Sequence, residues 1–171
     1  MGTLLFLCRL EEDNLGMNNV ISAHFVACTR EEVDAKYPEP KEIILPKRGT
    51  PRSAGYDFYC PFDVVIPPHQ SVFIPSWVKC IDMPEDAVLK IYIRSSLGIK
   101  RGLCLSNGTG IIDSDYVWNI GISVYNRGEN EAKIEAGERF AQGIFERYLI
   151  TSDDAPIESA RTGGFGSTGK K

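Results

Sequence analysis

From Glu42 onward proline and glycine cut the chain into short apolar runs, and this punctuation limits the possible folds more than any other feature. The runs are Ile43 to Leu45 (closed by Pro46), Asp63 to Ile66, Ser71 to Ile74, Trp77 to Ile81, Val88 to Arg94, Asn119 to Tyr125, Lys133-Ile134 and Phe140 to Ile150. They are rich in β-branched and aromatic residues and recur every ten residues or so, the rhythm of strands in a sandwich or barrel. Alternation puts Leu89, Ile91 and Ile93 on one face, and Ile120, Ile122 and Val124 on another. With 16 glycines and 10 prolines in 171 residues, a helical bundle is a poor fit. Two short helices are expected, over Glu31 to Lys36 behind a Thr29 N-cap and near Ser95 to Lys100.

Three sections follow from the changes in composition: an N-terminal extension (1–41), a β core (42–150) and a polar, glycine-rich C-terminal arm (151–171). Residues 1–16 read as a leader, with Met17 an alternative start. The run Thr3 to Cys8 is far shorter than the roughly 20 residues of a spanning helix and is followed by Glu11, Glu12 and Asp13, so no membrane segment or signal peptide is expected. Two histidines rule out a multi-histidine metal site. Five dispersed cysteines without a CxxC pair fit a reducing cytoplasm better than a disulfide framework or a zinc cluster. The net charge of −4 argues against direct nucleic-acid binding, so cations that meet a phosphate must be local.

Five blocks carry polar residues in patterns suited to chemistry. Ser53-Ala-Gly-Tyr-Asp57 is a turn ending in a carboxylate. Arg94-Ser95-Ser96 places three donors at a strand exit, suited to an oxyanion. In Asn107-Gly-Thr-Gly-Ile-Ile-Asp113-Ser-Asp115-Tyr116, one carboxylate can act as a base on water while the other caps a turn. Gly137-Glu-Arg139-Phe-Ala-Gln142 adds an arginine and an amide. The tail Gly163-Gly-Phe-Gly-Ser-Thr-Gly169-Lys170 contains GxxxxGK, yet it is not a phosphate loop: Lys171 replaces the hydroxyl residue and no helix follows. Its backbone N–H groups can still cradle an anion, and Phe165 is placed to stack on a base.

In this order and spacing the five blocks resemble the motifs of the homotrimeric dUTPase family, over about residues 42–169, with a leader and shortened fifth motif closer to a bacterial or phage branch. The resemblance implies an all-β, jelly-roll-like fold, a homotrimer with sites shared between subunits, and hydrolysis of dUTP to dUMP and pyrophosphate. That reaction limits uracil incorporation into DNA and supplies dUMP for thymidylate synthesis. It also implies Mg²⁺ held by the substrate phosphates, with Asp57 touching the metal's water shell. Asp113 would orient and deprotonate the water that attacks the α-phosphorus, and Arg94 would hold Asp113. Ser95, Ser96 and Gln142 would contact the phosphates. Asn107, with backbone groups of a hairpin that includes Gly110 and Ile112, would read uracil. Tyr116 would pack under the deoxyribose where a 2′-hydroxyl collides. Phe165 would stack on the base as the arm closes, with Arg161, Gly166, Ser167 and Thr168 covering the γ-phosphate.

The chain departs from the family pattern at Val117-Trp118, where Arg-Gly is common, at Phe140, and at Ala160, which displaces the arginine of the fifth motif to Arg161. Trp118 is expected at a trimer interface. A dCTP deaminase, or a bifunctional deaminase and dUTPase, shares the fold and an RSSL block. It needs a glutamate near Ser123, and Val117 to Gly128 contains no acid. A regulatory protein-binding dUTPase is the second alternative.

Overall fold

The computed structural model describes residues 20–155 together with 161, 163 and 164. Twelve strands carry the described fold: β1 (His24–Ala27), β2 (Lys47–Arg48), β3 (Tyr56–Tyr59), β4 (Val64–Ile66), β5 (Ser71–Pro75), β6 (Val78–Ile81), β7 (Ala87–Ile93), β8 (Leu103–Leu105), β9 (Gly110–Asp113), β10 (Gly121–Asn126), β11 (Ala132–Ile134) and β12 (Arg139–Arg147). One helix, α1 (Ser95–Arg101), sits between β7 and β8. The architecture is all-β and jelly-roll-like.

Pairing is antiparallel throughout the described strands. The largest sheet runs β2-β3-β12-β7-β9; the others are β5-β10-β8, β4-β11 and β1-β6. The alternation read from the sequence has a physical target: Leu89 and Ile91 point into the core, as do Ile120, Ile122 and Val124, while Ile93 is half-buried. Phe58, Phe140, Leu97, Leu103 and Ile134 fill the space between the sheets. Gly143 lets β12 pass close to that core: a Cβ there would come within 2.8 Å of Leu89 Cδ1 and 3.0 Å of Phe58 Cε2.

Several expectations shift. Ile43 to Leu45 forms no strand; the ladder begins at Lys47–Arg48, whose exposed, charged residues suit an edge strand. The expected helix over Glu31 to Lys36 shrinks to a 3₁₀ turn, Arg30–Glu32, with the Thr29 capping box in place. It stops there because Val33 turns inward to join Cys28 and Trp77, and Asp34 accepts the Lys36 N–H at 3.0 Å. Residues 20–41 contribute to the body, with β1 pairing β6 and Phe25 packing on the core. Finally, the strands flanking the Asn107 turn do not pair as a hairpin. β8 ladders with β10 and β9 with β7, so the chain crosses between sheets at Asn107 to Thr109.

Candidate active site

Two polar clusters lie on the five-stranded sheet. The first surrounds Asp57, the second residue of β3, whose neighbour across the ladder on β12 is Gln142. Arg94 follows β7 directly, with its N–H on the Phe140 carbonyl at 3.1 Å. Arg139 opens β12, where a bulge precedes Ala141 and re-aims the strand. Both guanidinium groups converge on Asp57: Arg94 Nε meets Oδ1 at 3.0 Å and Arg139 NH1 meets Oδ2 at 3.0 Å. The residue is only 8% exposed, and a buried carboxylate needs such partners. Gln142 leans over Gly55, where a Cβ would stand 2.6 Å from its Oε1. Ser95 and Ser96 are exposed at the start of α1, directly beside this cluster in the chain.

The second cluster follows β9. Asp113 ends the strand and Tyr116 turns back, its N–H on the Asp113 carbonyl at 3.0 Å. The arm reaches this loop. Arg161 grips Asp115 Oδ1 through Nε at 2.7 Å and Asp113 Oδ2 through NH2. Burial alone would lower the Arg161 pKa, but Asp115 and Asp113 outweigh it and hold it above its usual value. Gly164 lies flush on the Tyr116 ring, where any side chain would collide. Tyr116 is 9% exposed, meets Trp118 edge-to-face at 5.5 Å, and donates its hydroxyl to the Asn119 carbonyl at 2.8 Å. Its phenol is held above the usual pKa mainly by burial, with Cys28 adding and Arg161 opposing.

The clusters are far apart within one chain. Asp113 faces Val88 on β7, while Arg94 lies beyond the other end of that strand, and at about 3.3 Å per residue the separation is on the order of 20 Å. The expected Arg94 contact with Asp113 is therefore absent within the chain: Arg94 holds Asp57 instead, because antiparallel register fixes which strand ends meet. Asn107 lies exposed in the crossing between sheets, and Gly110 faces Ile91, whose Cβ stands 3.0 Å from where a glycine side chain would begin. Ile112 is buried beneath the loop. Phe165, Gly166, Ser167 and Thr168 lie outside the described residues.

Sequence reasoning marks Arg139, with Arg94 and Arg161, as a local source of positive charge and leaves Asp113 and Asp115 as base and turn cap, but it gives Asn119 no role and does not show that Arg139 pairs with Asp57 or Asp115 with Arg161. Arg139 stands three residues before Gln142, and Asp115 stands beside Asp113. Nothing local marks Asn119. At the position where a deaminase needs an acid, Ser123 Oγ instead shares a hydrogen bond with Ser106 Oγ at 2.8 Å, and Ser106 donates to Ser71 at 2.8 Å.

Comparison with known proteins places the chain in a family. A model of the dUTPase family matches residues 41–169. The chain is 41% identical over 145 residues to the deoxyuridine 5'-triphosphate nucleotidohydrolase of Lactococcus lactis, covering 81% of this chain and 95% of that one. It is 36% identical over 134 residues to the mitochondrial human protein of that name, covering 76% of this chain and 52% of that one. Among solved structures, a dUTPase from Streptococcus mutans superposes with a TM-score of 0.65 at 32% identity, covering 75% of this chain and 98% of that one. The fold and its carboxylate and arginine clusters thus define an all-β nucleotide hydrolase. More particularly, the chain belongs to the dUTPase family: it is a dUTP diphosphatase, an enzyme that hydrolyses dUTP.

Proposed function

We propose that Asp113 is the general base, that the chains form a homotrimer, and that each active site joins the Asp113 cluster of one chain to the Asp57 cluster of another. The separation of Asp113 from Arg94 along β7 carries this reading, because one chain cannot bring its own base to its own arginine pair.

Asp113 accepts a proton from water as the water oxygen attacks the α-phosphorus. The bond from that phosphorus to the bridging oxygen breaks, and pyrophosphate leaves with the electron pair, giving dUMP. Positioning supplies most of the rate, since a carboxylate is a weak base in free solution. Arg94, Ser95, Ser96 and Gln142 bind the phosphate chain. Asn107 and the backbone at Gly110 and Ile112 read uracil, and Tyr116 floors the deoxyribose. Arg161 is shared: the charges of a triphosphate compete with Asp113 and Asp115 for its guanidinium, so substrate both draws the arm over and uncovers the base. Phe165 stacks on uracil, while Gly166, Ser167 and Thr168 cover the γ-phosphate. Residues 42–150 serve as the core, to which 20–41 add a strand and buried side chains, and 151–171 serve as the closing arm.

Mg²⁺ suits this site as an ion carried by the phosphates. Asp57 gives one oxygen to each arginine, and an ionised carboxylate keeps further lone pairs for a metal-bound water. Among the described residues no group of three acidic, cysteine or histidine side chains is gathered to hold a metal by itself. When bound, the ion neutralises charge on the phosphate chain and on the departing pyrophosphate. A cytoplasmic location fits the four described cysteines, all of them free; among the described residues no helix is long and apolar enough to cross a membrane.

The test is to incubate the protein with Mg²⁺ and, separately, dUTP, dCTP, dTTP or UTP, following pyrophosphate and ammonia. Pyrophosphate from dUTP alone is expected; ammonia from dCTP would overturn the reading. Asp113→Asn should bind dUTP and lose turnover, and retained turnover would show that another group is the base.

A further inference from the structure

Asn119 joins three stretches of chain behind Tyr116. Its carbonyl accepts the Tyr116 hydroxyl at 2.8 Å. Its side-chain Oδ1 accepts the Trp77 backbone N–H at 2.9 Å and lies 3.9 Å from Cys28 Sγ. Trp77 is a fixed post: it is 1% exposed, sits at φ 61, and takes the Cys28 N–H on its carbonyl at 2.9 Å. The Arg30 guanidinium stacks over its ring, 5.2 Å from the centroid. Bulky residues seldom adopt a positive φ, so a bond that satisfies the Trp77 N–H in that conformation ties the Asn119 side chain to one backbone shape. The loop carrying Tyr116 is thereby fastened to the β5–β6 turn and to the segment after β1.

We propose that Asn119 is a positioning residue for sugar selection: its side chain anchors the loop to Trp77 so that the Tyr116 ring forms an unyielding floor that rejects a ribose 2′-hydroxyl. This rests on the reading of Tyr116 as the sugar floor. A floor excludes one extra oxygen only if it does not give way, and a ring on a slack loop would shift by enough to admit it. Asn119 stiffens the floor from behind, through the Tyr116 hydroxyl, while Trp118 packs against the ring edge. The pair Val117-Trp118 spans the interval between floor and anchor, so the floor that meets the sugar is held by a residue, Asn119, that does not.

The experiment compares kcat/KM for dUTP and UTP in the wild type and in Asn119→Ala, Asn119→Asp, Tyr116→Phe and Tyr116→Leu. Asn119→Ala should lower the preference for dUTP over UTP at least tenfold, chiefly through the KM for UTP. Asn119→Asp keeps an acceptor for the Trp77 N–H and should restore the preference to within threefold of wild type, a rescue that a general loss of stability would not show. Tyr116→Phe, which severs the floor from its anchor, should follow Asn119→Ala. If Asn119→Ala keeps wild-type selectivity while Tyr116→Leu loses it, the anchoring role is wrong and the sugar floor stands. If Tyr116→Leu keeps selectivity, the floor itself is wrong and the inference falls with it. Should Asn119→Ala fail to fold, unchanged selectivity in Tyr116→Phe would overturn the proposal.

Discussion

Arg94 is bound to Asp57, Nε to Oδ1 at 3.0 Å, at the opposite end of β7 from Asp113. The ion pair has a companion, since Arg139 takes the other carboxylate oxygen; Asp57 and Arg139 lie on the paired strands β3 and β12, and Arg94 directly follows β7, which pairs β12 on its other side. The carboxylate fixes the spacing of two cations that would otherwise repel.

Replacing that carboxylate should therefore disturb substrate binding more than folding. Asp57→Asn is expected to lower kcat/KM by on the order of 10², with a stability loss of only about 1–2 kcal/mol because both arginines are partly exposed. Steady-state kinetics and a thermal melt measure the two effects; an unchanged rate would show that the arginines need no such frame.

The arm passes over Tyr116 at a glycine. Gly164→Ala puts a methyl into the Tyr116 ring and should lift the arm, raising KM for dUTP about tenfold while leaving Tm unchanged. Removing residues after Ser159 should go further in the same direction. If truncation unfolds the protein, the arm is part of the core and not a cover.

Asp115→Asn weakens the hold on Arg161 at Nε while leaving Asp113 intact. Because Asp115 competes with the substrate phosphates for that guanidinium, KM should fall by a few fold with kcat nearly constant, and the change should shrink in high salt, which screens exposed ion pairs. A fall in kcat with no change in KM would instead place Asp115 in the chemistry.

Burial pushes the thiols of Cys28 and Cys80 up to about 11 and that of Cys60 up to about 12. Below their ordinary value near 9, folded and unfolded chains both keep these protons, and stability is unaffected by them. Above it the unfolded chain releases protons that the folded chain retains, so stability falls as pH rises from about 9 to 11, and for Cys60 to about 12. Melting temperature against pH should show this decline, and Cys60→Val should flatten part of it. At neutral pH an alkylating reagent should leave these three untouched in the native protein and react at half-buried Cys104 among the described cysteines.

Strands were legible where burial alternates and turns are marked. Ile120, Ile122 and Val124 declare a face by themselves, and Gly137, at φ 78, marks its turn. Ile43 to Leu45 misleads because Ile43 packs against the cluster of Cys28, Val33 and Trp77 without ladder bonds, while Leu45 is exposed. The site was legible as a set of side chains, not as an arrangement. Which ends of β7, β9 and β12 meet depends on register, and register is decided by pairing between residues far apart in the chain. Asn119 was beyond reach for the same reason: its partner, Trp77, is 42 positions away.

The length of β7 also has a genetic consequence. In the proposed shared site, with Asp113 at one end and the arginine pair at the other, a chain damaged at Asp113 and a chain damaged at Arg94 would each retain the half that the other lacks. Co-expressed, two such inactive alleles would rebuild intact sites where their sound halves adjoin, so the defects would complement. Two lesions at the same end would not.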